Sequence, residues 1–272
     1  MSSERFTTED GCSLAYEISG DGVPVLWQHG LGADRKQPAE VFPATPGIQR
    51  ITLECRGHGE SELGDYTRLS IAQFADDAVQ LFNHLHIDKL VLGGISLGAA
   101  ISLRLAATVP SRVKALILAR PAWVDHAAPT TMKPYLSIAD LLRMFGPEEG
   151  LRRYERSDIR AEVQSISPDN AASLRSFFSR KGEESTIELL SRIPKDGPGL
   201  SASDIAMIAV PTAVIANGEE YIHPIRYAEQ LRNLIAGSSL QIITSKTLDK
   251  GLYLSEFRAA IASFLQTKEV GQ

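Results

Sequence analysis

The sequence predicts an α/β fold: a mostly parallel sheet of about eight strands flanked by helices, with a helical block inserted after the sixth strand. Three observations carry that expectation. Short β-rich apolar runs alternate with amphipathic segments of helical period. The runs are apolar without interruption, as suits parallel strands covered on both faces. The alternation is suspended once, from Pro121 to Ile208, where only helical fragments stand.

Taken in order, "RFTTED" and "SLAYEIS" read as an antiparallel hairpin leading into the sheet. "VPVLWQHG" and "RITLECRG" are the third and fourth strands. "SIAQFADDAVQLFNHL" repeats its apolar residues at helical spacing behind Ser70, a good N-cap. After the strand "KLVLGGIS", the segment "SLGAAISLRLAATVP" is small and apolar nearly all round, which predicts a buried helix ended by Pro110. "VKALILAR" is the sixth strand. The helical fragments "SIADLLRMFG", "PEEGLRRYERS", "PDNAASLRSFFSR" and "ESTIELLSRI" follow, punctuated by Pro and Gly. "PTAVIANG" and "LQIITSK" supply the last strands, and "SEFRAAIASFL" a closing helix with Ser255 as its cap. The chain thus divides into a core of residues 1–120 and 209–272 and a helical insertion of 121–208.

Composition narrows the function. The 272 residues are 43% hydrophobic and 22% charged with a net charge of −5, and no basic run marks a nucleic-acid or acidic membrane surface. No segment approaches the roughly 20 apolar residues of a membrane span, and the first residues lack a signal-peptide core. A cytoplasmic protein is expected. Cys12 and Cys55 have no metal-ligand spacing and read as reduced core residues. Nothing calls for a metal or an organic cofactor, and no feature fixes an oligomeric state.

The densest chemical signal is Gly94-Ile95-Ser96-Leu97-Gly98, a G-x-S-x-G between a strand and a helix. In that setting a serine sits on a sharp turn with its hydroxyl raised above the sheet edge, at a helix N-terminus that favours developing negative charge. Acyl transfer also needs two N–H groups for the oxyanion. Leu97, directly after the serine, offers one, and Leu31 in "HGLG" (His29 to Gly32) offers the other. His29 and Gly30 border the same place, where His29 is better suited to bracing the turn than to catalysis.

With "QHGLG", "ECRGHGES", "GGISLGAA", "ARPAW" and "NGEEYIHP" present in this order, the chain resembles the α/β-hydrolase family over nearly its whole length. The resemblance implies that "RGHGES" (Arg56 to Ser61) is a structural turn and that the insertion after the sixth strand is a lid. It implies a triad in the order Ser, acid, His. The acid, four residues before Pro224, falls on Glu220; Glu219 and Asp125 are rivals. The histidine, expected just before the closing helix, is absent, and Tyr253 stands where it is expected. A phenol of pKa about 10 is ionised only about one part in a thousand at pH 7, so Tyr253 makes a poor base.

Five of the six histidines remain to be weighed. His84 and His86 belong to a helix end at the far edge of the sheet, and His58 to the structural turn. His223, three residues beyond Glu220, is the best substitute base, and His126 beside Asp125 a weaker one. Lid aromatics Trp123, Tyr135, Phe145, Phe177 and Phe178 are candidate walls for a small, mostly apolar substrate, with Trp123 favoured. The leading expectation is a serine hydrolase of a small carboxylic ester, thioester or lactone. The alternatives are a ligand-binding or sensor protein on the same frame, and a lyase or isomerase in which Tyr253 donates a proton.

Overall fold

The computed structural model describes residues 3–267. Strands β1 (Glu4–Thr7) and β2 (Ser13–Ser19) form the expected antiparallel hairpin, and β2 runs antiparallel to β4 (Ile48–Leu53). The other strands are parallel: β3 (Val23–Gln28), β5 (Leu90–Ile95), β6 (Val113–Ala119), β7 (Thr212–Asn217) and β8 (Ser239–Ile243). The eight strands lie in the order β1-β2-β4-β3-β5-β6-β7-β8. Alternate side chains feed opposite faces, as strand geometry requires. Leu26, Leu92, Leu116 and Leu118 join one core, while Val25, Trp27, Val91 and Ile117 join the other.

Helices α1 (Lys36–Val41) and α10 (Lys250–Leu265) close the second of these cores through Val41, Phe257 and Ile261. Helices α2 (Ile71–His84), α3 (Leu97–Thr108), α8 (Ala202–Ala206) and α9 (Ile225–Leu234) cover the first. Ser70 caps α2 as expected, accepting from the Gln73 N–H at 3.0 Å. α3 is buried along most of its length, which explains its lack of a polar face. Cys12 and Cys55 are free and buried. No helix among the described residues is long and apolar enough to cross a membrane.

Between β6 and β7 stand α4 (Lys133–Tyr154), α5 (Asp158–Ile166), α6 (Pro168–Arg175) and α7 (Glu183–Arg192), with no strand among the described residues there. α4 joins two of the expected fragments and is broken at Gly146, whose φ of 68° leaves the helical region just before Pro147.

Two expectations need correction. The closing helix starts at Lys250, not after Ser255: Asp249 is its N-cap and accepts from the Leu252 N–H at 2.9 Å. β8 is an edge strand with Ile242 half exposed, so its apolar run is not covered on both faces.

The turn after β5 depends on two glycines packed on each other and on β3. A Cβ on Gly94 would sit 2.5 Å from the carbonyl carbon of Gly98, and one on Gly98 would overlap the Gln28 carbonyl. Both obstacles are backbone and cannot rotate away. Gly98→Ala should therefore lower stability by about 1–3 kcal/mol, read as a reduced urea midpoint. An unchanged midpoint would show that α3 is free to shift off β3.

Candidate active site

Parallel strands that end side by side bring their following loops together at one sheet edge. Here β3, β5, β6 and β7 are successive neighbours. The residues that follow them, His29 to Gly32, Ser96, Arg120 and Glu220 to His223, therefore converge although the sequence scatters them.

Ser96 has φ 58° and ψ −109°, a backbone region that non-glycine residues rarely occupy. The turn holds it there: its N–H donates to the Ala119 carbonyl at 3.0 Å, and its carbonyl accepts from Ala100 at 3.1 Å. Its side chain makes no capping bond to α3. Ser96 lines a cavity of about 230 Å³ together with Leu31, Arg120, Tyr135, Phe177 and His223.

The loop after β3 is braced from three sides. His29 is buried; its Nδ1–H donates to the Gly30 carbonyl at 2.8 Å and its Nε2 accepts from the Cys55 N–H at 3.1 Å. Burial lowers its proton affinity, so it stays neutral. The Gly30 N–H is taken by Gln37 Oε1 at 2.7 Å. Arg180 donates through Nε to the Gly32 carbonyl at 3.1 Å and through Nη2 to the Gly57 carbonyl at 2.6 Å. The Phe177 ring packs directly on Gly32, whose φ of 78° suits glycine. Among the described residues no backbone carbonyl engages the N–H groups of Leu31 or Leu97. Leu31 lines the Ser96 cavity, whereas Leu97 is buried and is not among its lining residues.

Glu220 is the centre of the polar cluster. Its Oε1 accepts from Arg120 Nη2 at 2.5 Å and from Asn217 Nδ2 at 3.0 Å. Its Oε2 accepts from His223 Nδ1 at 2.9 Å and from Asn170 Nδ2 at 2.9 Å. Asn170, on α6, also accepts through Oδ1 from the Tyr221 and Ile222 N–H groups at 3.0 Å each, which fixes this loop against the inserted helices. Burial works against the Glu220 charge, but Arg120, His223 and Asn217 outweigh it and hold the carboxyl at about 2.

His223 is buried, and burial first and Arg120 second push its pKa below the usual value, against the pull of Glu220. A neutral ring that donates from Nδ1 must carry its lone pair on Nε2. That Nε2 is buried with no hydrogen-bond partner among the described residues. Buried polar atoms are seldom left unpaired without a functional or solvent role. His223 and Ser96 line the same cavity, with no hydrogen bond joining them in this structure.

The remaining sequence candidates lie apart from this group. Tyr253 falls in the first turn of α10 rather than on the loop before it, because the helix begins at Lys250. It is buried in the second core against Phe257, its hydroxyl accepts from Arg120 Nη1 at 3.2 Å, and it does not line the Ser96 cavity. Trp123 is buried as well. Its indole N–H donates to the Asp196 carbonyl at 2.9 Å, and it borders a separate cleft of about 640 Å³ shared with Asp125, His126 and Tyr227. His126 is paired with Asp125 at 2.5 Å there, away from Ser96. Glu219 has φ 54° and accepts from Ser245 Oγ at 3.2 Å instead of facing the cavity. His58 packs against the His29 ring, centroids 4.7 Å apart, and is held neutral by burial. Phe145 packs under Arg153, and Phe178 against Tyr154. Of the expected aromatic walls, Tyr135 and Phe177 are the two that line the cavity. Among the described residues no group of three or more His, Cys, Asp or Glu is placed to hold a metal ion.

Arg120 is the residue that sequence reasoning missed. It stands in "ARPAW", directly after a strand, where a lone arginine carries no catalytic signature.

Comparison with known proteins agrees with this architecture. A family model described as alpha/beta hydrolase fold matches residues 23–247. The AB hydrolase superfamily protein YisY of Bacillus subtilis (strain 168) is 26% identical over 251 residues, covering 86% of this chain and 87% of that protein. A shorter match, 36% identical over 118 residues, is to the dihydrolipoyllysine-residue acetyltransferase component of the acetoin cleaving system of Pseudomonas putida. It covers 41% of this chain and only 30% of that protein. Among solved structures, the enol-lactonase from Burkholderia xenovorans LB400 superposes with a TM-score of 0.76 at 20% identity, over 97% of this chain and 100% of that one. The chain belongs to the α/β hydrolase fold family.

Proposed function

We propose that the protein is a serine hydrolase of small carboxylic esters, thioesters or lactones, with Ser96 as nucleophile and His223, oriented by Glu220, as base. One observation carries this reading: the strained Ser96 and a neutral His223 with an unpaired Nε2 line a single cavity. In the reaction, Ser96 Oγ bonds to the acyl carbon while its proton passes to His223 Nε2. The Leu31 and Leu97 N–H groups receive the oxyanion. Collapse of the tetrahedral species breaks the bond to the leaving oxygen or sulfur, which takes the proton from His223. Water, deprotonated by the same nitrogen, then releases the acid and frees Ser96. Hydrogen bonds of this kind commonly tighten only with substrate present, so the absent Ser96–His223 bond is compatible with the role. The inserted helices act as a lid through Tyr135, Asn170 and Phe177, which share that cavity. A volume near 230 Å³ lies below the range usual for drug-sized ligands and restricts the acyl group to a small one.

A second reading, a ligand-binding protein without turnover, is favoured by the commitment of Glu220 Oε1 to Arg120 instead of to a histidine before α10. One experiment separates the two. A fluorophosphonate probe should label Ser96 in the wild type and not in Ser96→Ala, and short-chain nitrophenyl esters should be hydrolysed in the same pattern. Absence of labelling, together with a rise in Tm on adding small esters, would replace the hydrolase by the binding protein.

A further inference from the structure

We propose that Arg120 is a positioning residue of this site, a clamp that grips the Glu220 carboxylate on the oxygen His223 leaves free and so fixes the Glu220–His223 pair beside Ser96. The proposal rests on the hydrolase reading for its catalytic meaning, though not for its structural test.

The position is unusual in three respects. Arg120 follows β6 directly, between the strand that ends at Ser96 and the strand that leads to Glu220. Its φ is 44°, a region that non-glycine residues enter mainly where surrounding structure enforces it, and its N–H is tied to the Ile215 carbonyl at 2.7 Å. Its side chain is nearly inaccessible yet lines the cavity. A buried guanidinium is tolerated where its donors meet acceptors in good geometry, and here both Nη groups do so while Nε has no partner among the described residues. Nη2 lies 2.5 Å from Glu220 Oε1 and 3.4 Å from His223 Nδ1, and Nη1 donates to the Tyr253 hydroxyl at 3.2 Å. Tyr253 thereby acquires a purpose. It holds the far side of the fork from α10, so that the near side stays on Glu220.

The charges around His223 can be enumerated. Glu220 touches it, Arg120 stands within 3.4 Å, and Asp169 on α6 lies 3.8 Å from the same Nη2. Asp169 is in turn matched by Lys246 at 2.9 Å, from the segment between β8 and α10. Tyr135 of α4 lines the same cavity, and burial raises its pKa further above neutrality. The local charges cancel in pairs, Arg120 with Glu220 and Lys246 with Asp169. Arg120 is then the cation whose removal leaves His223 facing an unbalanced carboxylate. A carboxylate alone favours the protonated imidazole, and the guanidinium opposes it.

The test is a titration of the His223 ring by NMR in the full chain, which requires no turnover. Arg120→Gln should raise the His223 midpoint by about one pH unit or more, a tenfold gain in proton affinity. The acidic limb of kcat/KM for this variant should move to higher pH by the same shift as the His223 midpoint, whereas a merely structural defect would depress the rate at every pH and leave the limb in place. Should Arg120→Gln fail to fold, the same change is read in a background without the opposing charge: Arg120→Gln/Glu220→Gln against Glu220→Gln, where the midpoint must again rise. A midpoint unmoved by loss of Arg120 would overturn the clamp. A midpoint that moves in a protein whose Ser96 neither labels nor hydrolyses would leave the clamp standing and remove the hydrolase reading.

Discussion

Replacing His223 by alanine is expected to lower kcat for a small ester by about 10⁴-fold or more, nearly as far as replacing Ser96, and the double variant should fall little further. The reason is that in the proposed mechanism nucleophile and base act as one unit. Ser96 without a proton acceptor is a weak nucleophile, and the acceptor without Ser96 has nothing to activate. What survives in each variant is the contribution of the Leu31 and Leu97 N–H groups and of binding itself. Steady-state kinetics of the two single variants and the double variant provide the check. A loss of less than about tenfold in His223→Ala would relocate the base, since no other histidine lines the Ser96 cavity. The pH dependence has a definite sign. The proposed base works only when neutral, and burial and Arg120 lower the His223 pKa from 6.5. The acidic limb of kcat/KM should therefore lie below pH 6.5, and a rate that persists undiminished at pH 6 is the expected result.

Glu220→Ala should be the most destabilising single change at the site, by about 3–5 kcal/mol in urea unfolding at pH 7. It leaves Arg120 buried without its closest carboxylate, removes the acceptor for Asn217 and Asn170, and strands the His223 Nδ1–H. Glu220→Gln keeps the shape and part of the hydrogen bonding and should cost less. The same carboxylate makes wild-type stability sensitive to acid. Its folded pKa of about 2 lies below the reference of 4.5, so the stabilisation is complete above pH 4.5 and is lost as the pH falls toward 2. That shift corresponds to a loss on the order of 3 kcal/mol. Unfolding free energy that stays flat from pH 5 to pH 2.5 would show that the Arg120–Glu220 contact is not made in solution.

Much of this arrangement was legible in the residues. Short uninterrupted apolar runs bounded by Gly, Pro or charge located the strands, since parallel strands covered on both faces need such runs. The Gly94–Gly98 motif located Ser96, because only small residues permit the contact of α3 with β3. Counting back from Pro224 located Glu220. The helix boundary at Asp249 was harder to read: Gly251 looks like a breaker, yet in the first turn of a capped helix it is tolerated. One turn of error there moved Tyr253 from a loop above the sheet into a core below it. Short α1 and α8 leave too little periodicity to detect, and α9, although amphipathic, goes unread between the last two strands. Trp123 was misplaced for a different reason. The direction in which a chain leaves a strand is set by the packing of the inserted helices, which no local pattern encodes.

By itself the sequence determined the strands, the helices α2 and α3, the family, the serine on its turn and the acid three residues from a histidine, all of which follow from local patterns and short spacings. Only the tertiary structure decided that His223 rather than Tyr253 shares the Ser96 cavity, and that Arg120 sits between Glu220 and Tyr253. The physical reason is sequence separation. Arg120 meets Glu220 across 100 residues and Tyr253 across 133, and such contacts are fixed by the order of strands in the sheet and the packing of helices on it.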